Sequence, residues 1–136
     1  MADLVTLADL ERVAARLWAE LTPGAVVWLS GDLGAGKTAF AQALARAAGA
    51  EPARSPTFAL VNEYLAPAGL IVHADCYRLR EPAEAIDLDF PGLIRDARLL
   101  LIEWPEKAGP FAPAPDAHLH FAHAEQPEQR LLERVT

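Results

Sequence analysis

Residues 31–40 read GDLGAGKTAF, three glycines, a lysine and a threonine set between the apolar run AVVWLS (25–30) and the helix-forming run KTAFAQALARAA (37–48). Within it Gly31, Gly36, Lys37 and Thr38 fit the spacing G-x-x-x-x-G-K-[ST], with a strand pattern before it and a helix pattern after it. Glycines in that arrangement let backbone N–H groups turn inward around phosphate oxygens, and the positive end of the following helix adds to the attraction. Lys37 is then placed to reach the β- and γ-phosphates, and Thr38 to hold Mg²⁺ through its hydroxyl. The bound phosphates are expected along Asp32, Gly34, Ala35, Gly36, Lys37, Thr38 and Ala39.

Upstream, TLADLERVAARLWAEL places Leu7, Leu10, Val13, Ala14, Leu17, Trp18 and Leu21 at steps of three and four, an amphipathic helix. Thr6 and Asp9 have the spacing of a capping box, and Trp18 is expected in the core. Gly49 suits the left-handed position past the second helix. Downstream, TFALVNEYLA and LIVHAD flank Pro67-Ala68-Gly69 and predict a hairpin. EPAEAIDL predicts a short acidic helix with Pro82 in its first turn. RLLLIEW predicts a buried strand, and AHLHFAHA with RLLERV a second hairpin. The fold class expected is α/β: a phosphate-loop NTPase fold, with a mostly parallel sheet, antiparallel hairpin additions and flanking helices.

The whole chain sets the bounds. Its 136 residues suit one domain, 1–136, with room for a core but not for a separate substrate domain. Hydrophobic residues make up 52% and charged residues 23%, a globular balance, and no apolar run approaches the ~20 residues of a bilayer span. No basic segment precedes an apolar one at the start, and the single cysteine excludes an intrachain disulfide framework, so a cytoplasmic location is expected. The net charge of −7 repels a nucleic-acid backbone, which argues against direct contact with DNA or tRNA.

Hydrolysis needs carboxylate support for a metal and a positioned water. LIVHAD ends at Asp75 and LLLIE at Glu103, acids that directly follow apolar runs and so fall at the carboxyl edge of a parallel sheet, where the glycine loop also lies. Either one is suited to Mg²⁺ or to the attacking water. Thr57, in SPTFALVNEY (55–64), follows Pro56 in an extended segment, where a hydroxyl can sense a γ-phosphate or its metal.

Together GDLGAGKT, SPTFALVNEY, HADCYRL and LIEWPE resemble, in order and spacing, the TsaE family of bacterial ATPases that serve tRNA threonylcarbamoyladenosine (t6A) synthesis. The resemblance runs over essentially the whole chain. It implies ATP with Mg²⁺ as ligands, TsaD and TsaB as partners, and tRNA met only through their complex. It implies Lys37 and Thr38 on nucleotide and metal, Thr57 and Asp75 in switch-like segments, and Glu103 as the acid required for hydrolysis. Cys76 stands where leucine is usual, and Pro127-Glu128 where Gly-Arg often opens the last strand, which leaves open whether Arg130 reaches the nucleotide.

Other residues carry weaker readings. His118 and His120 share one face of their strand and His123 takes the other, a poor geometry for a three-histidine metal site. Trp104 is suited equally to stacking on adenine or a partner and to packing under the Pro105 turn. Two rival functions use the same loop: a small-molecule kinase, for which little acceptor room remains after Glu103, and a nucleotide-dependent binding switch, whose guanine-reading Asn-Lys-x-Asp is not present.

Overall fold

The computed structural model describes residues 2–51 and 61–135. Strand β1 (Ala2–Val5) leads into helix α1 (Leu7–Glu20), strand β2 (Ala25–Gly31) and helix α2 (Lys37–Ala47). Then come the hairpin β3 (Val61–Ala66) and β4 (Gly69–Asp75), a 3₁₀ turn over Pro82–Leu88, and helix α3 (Phe90–Asp96). Strand β5 (Leu99–Glu103), the short helix α4 (Pro105–Ala108) and a 3₁₀ turn at Gly109–Phe111 precede the hairpin β6 (Ala117–His123) and β7 (Arg130–Arg134).

The seven strands form one sheet in the order β1-β7-β6-β2-β5-β4-β3. The four central strands, β6, β2, β5 and β4, run parallel. The antiparallel additions lie at the edges, β3 on β4 at one side and β7 then β1 beyond β6 at the other. This is the expected phosphate-loop architecture, with β2 at its centre and the glycine loop issuing from its carboxyl end.

Each element follows from local chemistry. Helix α1 starts where Thr6 accepts the Asp9 N–H at 3.2 Å and Asp9 accepts the Thr6 N–H at 2.9 Å, a reciprocal cap worth about 1 kcal/mol. Its stripe buries Leu10, Ala14 and Leu17 against α2 and one sheet face, with Phe40, Leu44, Leu29, Leu101 and Phe121. The other face, through Val72, Ala74, Leu100 and Ile102, packs beneath Phe90, Ala85 and Ala108. All five residues of β5 are buried, as a strand covered on both faces requires. Each large aliphatic side chain so buried stabilises the fold by about 1.5–3 kcal/mol.

Two features differ from the sequence expectation, and a third refines it. Trp18 is only half-buried: it packs on the core while the Arg98 guanidinium lies 4.4 Å over its ring, tethered by Arg98 donating to the carbonyls of Leu21 and Thr22. The acidic segment forms the expected short helix with Pro82 in its first turn, of 3₁₀ type and closed at its start by Glu81 and Glu84. Strand β1 and helix α3 are additions to the expected order. Helix α3 starts on Asp89, whose side chain caps the Gly92 N–H.

Candidate functional site

Strand β2 ends at Gly31, whose φ of 120° lies in the region that only glycine adopts freely. A Cβ built there would stand 1.8 Å from the carbonyl oxygen of Phe121 on β6. What comes close to this bare backbone is therefore a neighbouring strand, and the following Asp32 N–H donates to that same carbonyl at 3.0 Å. The loop is pinned further by β6, because the His123 N–H donates to Asp32 Oδ2 (3.2 Å) and the His123 ring bonds the Leu33 carbonyl (2.8 Å).

The loop then turns through Gly34 and Gly36, both at positive φ, into α2. Gly36 is the cap residue of α2, and no side chain caps that helix, in contrast to the Thr6 and Asp89 caps of α1 and α3. The free N–H groups and the dipole at its start favour an anion. Lys37, only 3% exposed, folds back so that Nζ donates to the carbonyls of Gly31 (2.9 Å) and Asp32 (2.5 Å), 4.6 Å from the centroid of the Trp104 ring. Burial pulls its ammonium below the usual lysine range, against the opposing pull of Glu103, Asp32, Glu106 and Asp75.

Across the loop, β4 and β5 run in register with Asp75 opposite Glu103, so the two acids predicted at the sheet edge stand side by side. Glu103 is 3% exposed. The Thr38 hydroxyl donates to both its oxygens, 3.1 Å to Oε1 and 2.9 Å to Oε2. His73 Nε2 lies 2.5 Å from Oε2. Burial alone would raise the carboxyl pKa, but the hydrogen bond and charge of His73, the Thr38 hydroxyl and Lys37 outweigh it and hold Glu103 below the usual carboxylate range. Asp75 is less enclosed and accepts the Tyr77 N–H at 3.0 Å. Nearby, burial and the Glu103 charge push the Tyr64 phenol up.

These groups surround a pocket of about 310 Å³ lined by Gly34, Gly36, Lys37, Thr38, Ala39, Asp75 and Glu103, with Leu7, Leu33, Tyr77, Trp104 and Arg130 completing its wall. Of the loop residues expected to meet phosphates, Asp32 and Ala35 fall outside this lining: the Asp32 carboxylate turns to the His123 N–H, and Ala35 is buried in the core. Thr57 lies outside the described residues. Arg130 does reach the pocket, its Cγ 3.8 Å from where a Cβ of Gly36 would sit, while Nη1 donates to the carbonyls of Pro127 and Gln129.

Trp104 occupies the left-handed region at φ 55°, costly for a bulky side chain, and in that position its ring packs on Tyr77 (centroids 5.0 Å apart) and under Lys37. The sequence reading missed His73, whose signal was period two: it shares a strand face with Asp75. Leu7 and Tyr77 carried no signal, because each is brought to the pocket from outside the loop, whereas Leu33 lies in the loop itself, at one of the variable positions of its pattern. His118 and His120 converge instead on the Ser30 hydroxyl, at 2.7 and 3.0 Å. Cys76 is a buried free thiol, pushed up to about 12 by burial and by Asp75 and Glu106.

Comparison with known proteins adds the family. Residues 4–132 match the family described as threonylcarbamoyl adenosine biosynthesis protein TsaE. A Nostoc sp. protein named tRNA threonylcarbamoyladenosine biosynthesis protein TsaE is 41% identical over 99 residues, covering 69% of this chain and 60% of its own length. Proteins of the same name from Rickettsia conorii and Aquifex aeolicus are 39% and 42% identical, covering 78% and 68% of this chain and 61% and 67% of their own lengths. The chain thus spans about three fifths of the first two relatives. A crystal structure of Bacillus subtilis YdiB superposes with a TM-score of 0.71, covering 98% of this chain and 86% of that one at 24% identity, which shows a shared fold. No helix among the described residues is long and apolar enough to cross a membrane. With one family description running from β1 into β7, across the glycine loop and both edge acids, the chain belongs to the TsaE family, whose curated members are named for tRNA t6A biosynthesis.

Proposed function

We propose that this chain binds and hydrolyses ATP with Mg²⁺, and that hydrolysis drives turnover of a TsaB–TsaD assembly in t6A modification of tRNA. The observation that carries the proposal is the convergence of Lys37, Thr38, Asp75 and Glu103 on one pocket beside the uncapped start of α2. Lys37 would leave the loop carbonyls for phosphate oxygens, and the backbone N–H groups of the α2 start would take others. Arg130, Leu7 and Leu33 form the remaining, more apolar wall.

The donor set is hard oxygen, which suits Mg²⁺: the Thr38 hydroxyl and either Asp75 or Glu103 would hold it. When bound, the ion would neutralise charge on the phosphate oxygens. Glu103, kept ionised by His73, Thr38 and Lys37, is able to accept a hydrogen bond from the attacking water and orient it. The pocket, at the small end of ligand cavities, suits one nucleotide better than a nucleotide with a second acceptor.

A net charge of −7 repels the tRNA backbone on the whole, so hydrolysis by this chain would have its use inside an assembly. The test is steady-state ATPase with and without the cognate TsaB–TsaD pair, beside a multi-turnover tRNA modification assay. The expected outcome is slow hydrolysis alone, a well-raised rate with the pair, and repeated modification that depends on this chain. If the chain neither binds the pair nor alters repeated turnover, the assignment is wrong even where ATP binds.

A further inference from the structure

Glu103 has a torsion problem. The terminal torsion of a glutamate is broad and two-fold, so burial alone does not decide which oxygen meets a pocket. Here one oxygen is singled out. Oε2 takes the His73 ring nitrogen at 2.5 Å and the shorter Thr38 bond at 2.9 Å, whereas among the described residues Oε1 has only the longer Thr38 contact at 3.1 Å. An ionised carboxylate only accepts, so His73 Nε2 carries its hydrogen and points it at Oε2.

His73 itself does not line the pocket. It sits in β4, 3% exposed, opposite Leu101 of β5, and among the described residues its Nδ1 has no partner. Leaving a polar ring in that apolar layer is costly unless its one good bond matters.

The geometry points to His73 as a positioning residue for hydrolysis: it clamps Oε2 of Glu103 from behind the sheet edge, so that Oε1 stays aimed for catalysis when the Thr38 hydroxyl leaves Glu103 for its ligand. The inference rests on the proposed ATPase reading. Thr38 serves as a temporary partner of Glu103, and His73 as the permanent one. Without the clamp the carboxylate would rotate freely at the moment it is needed, which lowers turnover and leaves the nucleotide's own contacts, with Lys37 and the α2 start, intact.

The decisive pair is His73→Gln against His73→Asn, both polar, each compared by thermal melt so that a folding loss is told apart from a catalytic one. The Gln amide reaches the place of Nε2, and the Asn amide stops near Nδ1. The ATPase of the partner-assembled protein should show kcat for His73→Asn reduced about 10-fold or more, with the ATP KM changed less than about threefold, and most of the loss restored in His73→Gln. Equal kcat in the two variants, or a loss confined to KM, would overturn the role. A second reading needs no activity: in the nucleotide-free protein, nitrogen NMR of the His73 ring should show Nε2 protonated, with a slowly exchanging proton that Glu103→Ala abolishes. A bare Nε2 would overturn the clamp. If wild type itself shows no ATPase with its partners while the NMR signature is present, the functional reading fails and with it the role in hydrolysis, and only the His73–Glu103 bond stands.

Discussion

Replacing Gly31 by alanine separates two reasons for a glycine in a phosphate loop. A ligand-approach role predicts that the nucleotide-free protein tolerates the methyl group. The structure predicts otherwise, because the new Cβ would stand 1.8 Å from the Phe121 carbonyl oxygen and 2.7 Å from its carbon and nitrogen, all backbone atoms of a central strand. Nothing there is flexible enough to give way cheaply. The φ of 120° adds strain of roughly 1–3 kcal/mol for a residue with a side chain. Separating β2 from β6 breaks the bond from the Asp32 N–H to Phe121 and orphans buried groups, adding roughly 1–3 kcal/mol.

The sum is about 2–6 kcal/mol, a large part of the stability of a domain this size. Gly34→Ala is the control. It also has positive φ, but the nearest atom to its Cβ would be a carbon of the His123 ring at 3.9 Å, so only the left-handed penalty of about 1–2 kcal/mol applies. Urea denaturation without nucleotide measures both, and the melting temperature of Gly31→Ala should fall by roughly 10 °C or more. If the two variants agree within about 1 kcal/mol, the packing explanation of Gly31 is refuted.

Lys37→Ala should weaken ATP binding roughly 10- to 100-fold by calorimetry, since it removes a charge-assisted donor from a buried site, and unchanged affinity would remove the phosphate-loop reading. The third expectation concerns acid. Glu103 has a folded-state pKa below its ordinary value of 4.5, so its contribution to stability is present above about 4.5 and is lost as pH falls through the lower, folded value. Thermal melts of metal-free protein between pH 6 and 3 should therefore fall less steeply in Glu103→Gln than in wild type. Parallel profiles would show that the His73, Thr38 and Lys37 interactions do not hold the carboxylate ionised.

The sequence carried the site wherever the signal was local. Thr6 and Asp9 announced α1, Gly36-Lys37-Thr38 the loop, and Asp75 and Glu103 the edge acids, each within a few residues of its own structural cause. It was silent where the cause was distant. His73 reads as one polar residue in an apolar run until β5 brings Glu103 beside it; Arg130, nearly a hundred positions from the loop it covers, could be named from the resemblance but not placed. Strand β1 has only four residues and owes its form to pairing with β7, a partner met at the other end of the chain. Helix α3 holds Pro91 and Gly92, residue types that interrupt a helical pattern. Proline is accommodated in a first turn, and a Cβ at Gly92 would stand 2.2 Å from the Asp89 carboxylate, so a side chain there would displace the cap.

The resting contacts of Lys37 bear on which anions the pocket will notice. Its ammonium is not waiting in water: two carbonyls and an indole face already satisfy it. An arriving anion must displace those partners, so what counts is the surplus it offers over a settled arrangement. A lone sulfate or inorganic phosphate exchanges one set of acceptors for another and gains little. A chain of phosphates, as in the proposed ATP ligand, would engage the start of α2 and Lys37 at once, and so gain from groups that the resting loop leaves idle. On the proposed ATP reading, the loop's own carbonyls would act as built-in competitors that raise the threshold for small anions and favour a polyphosphate ligand.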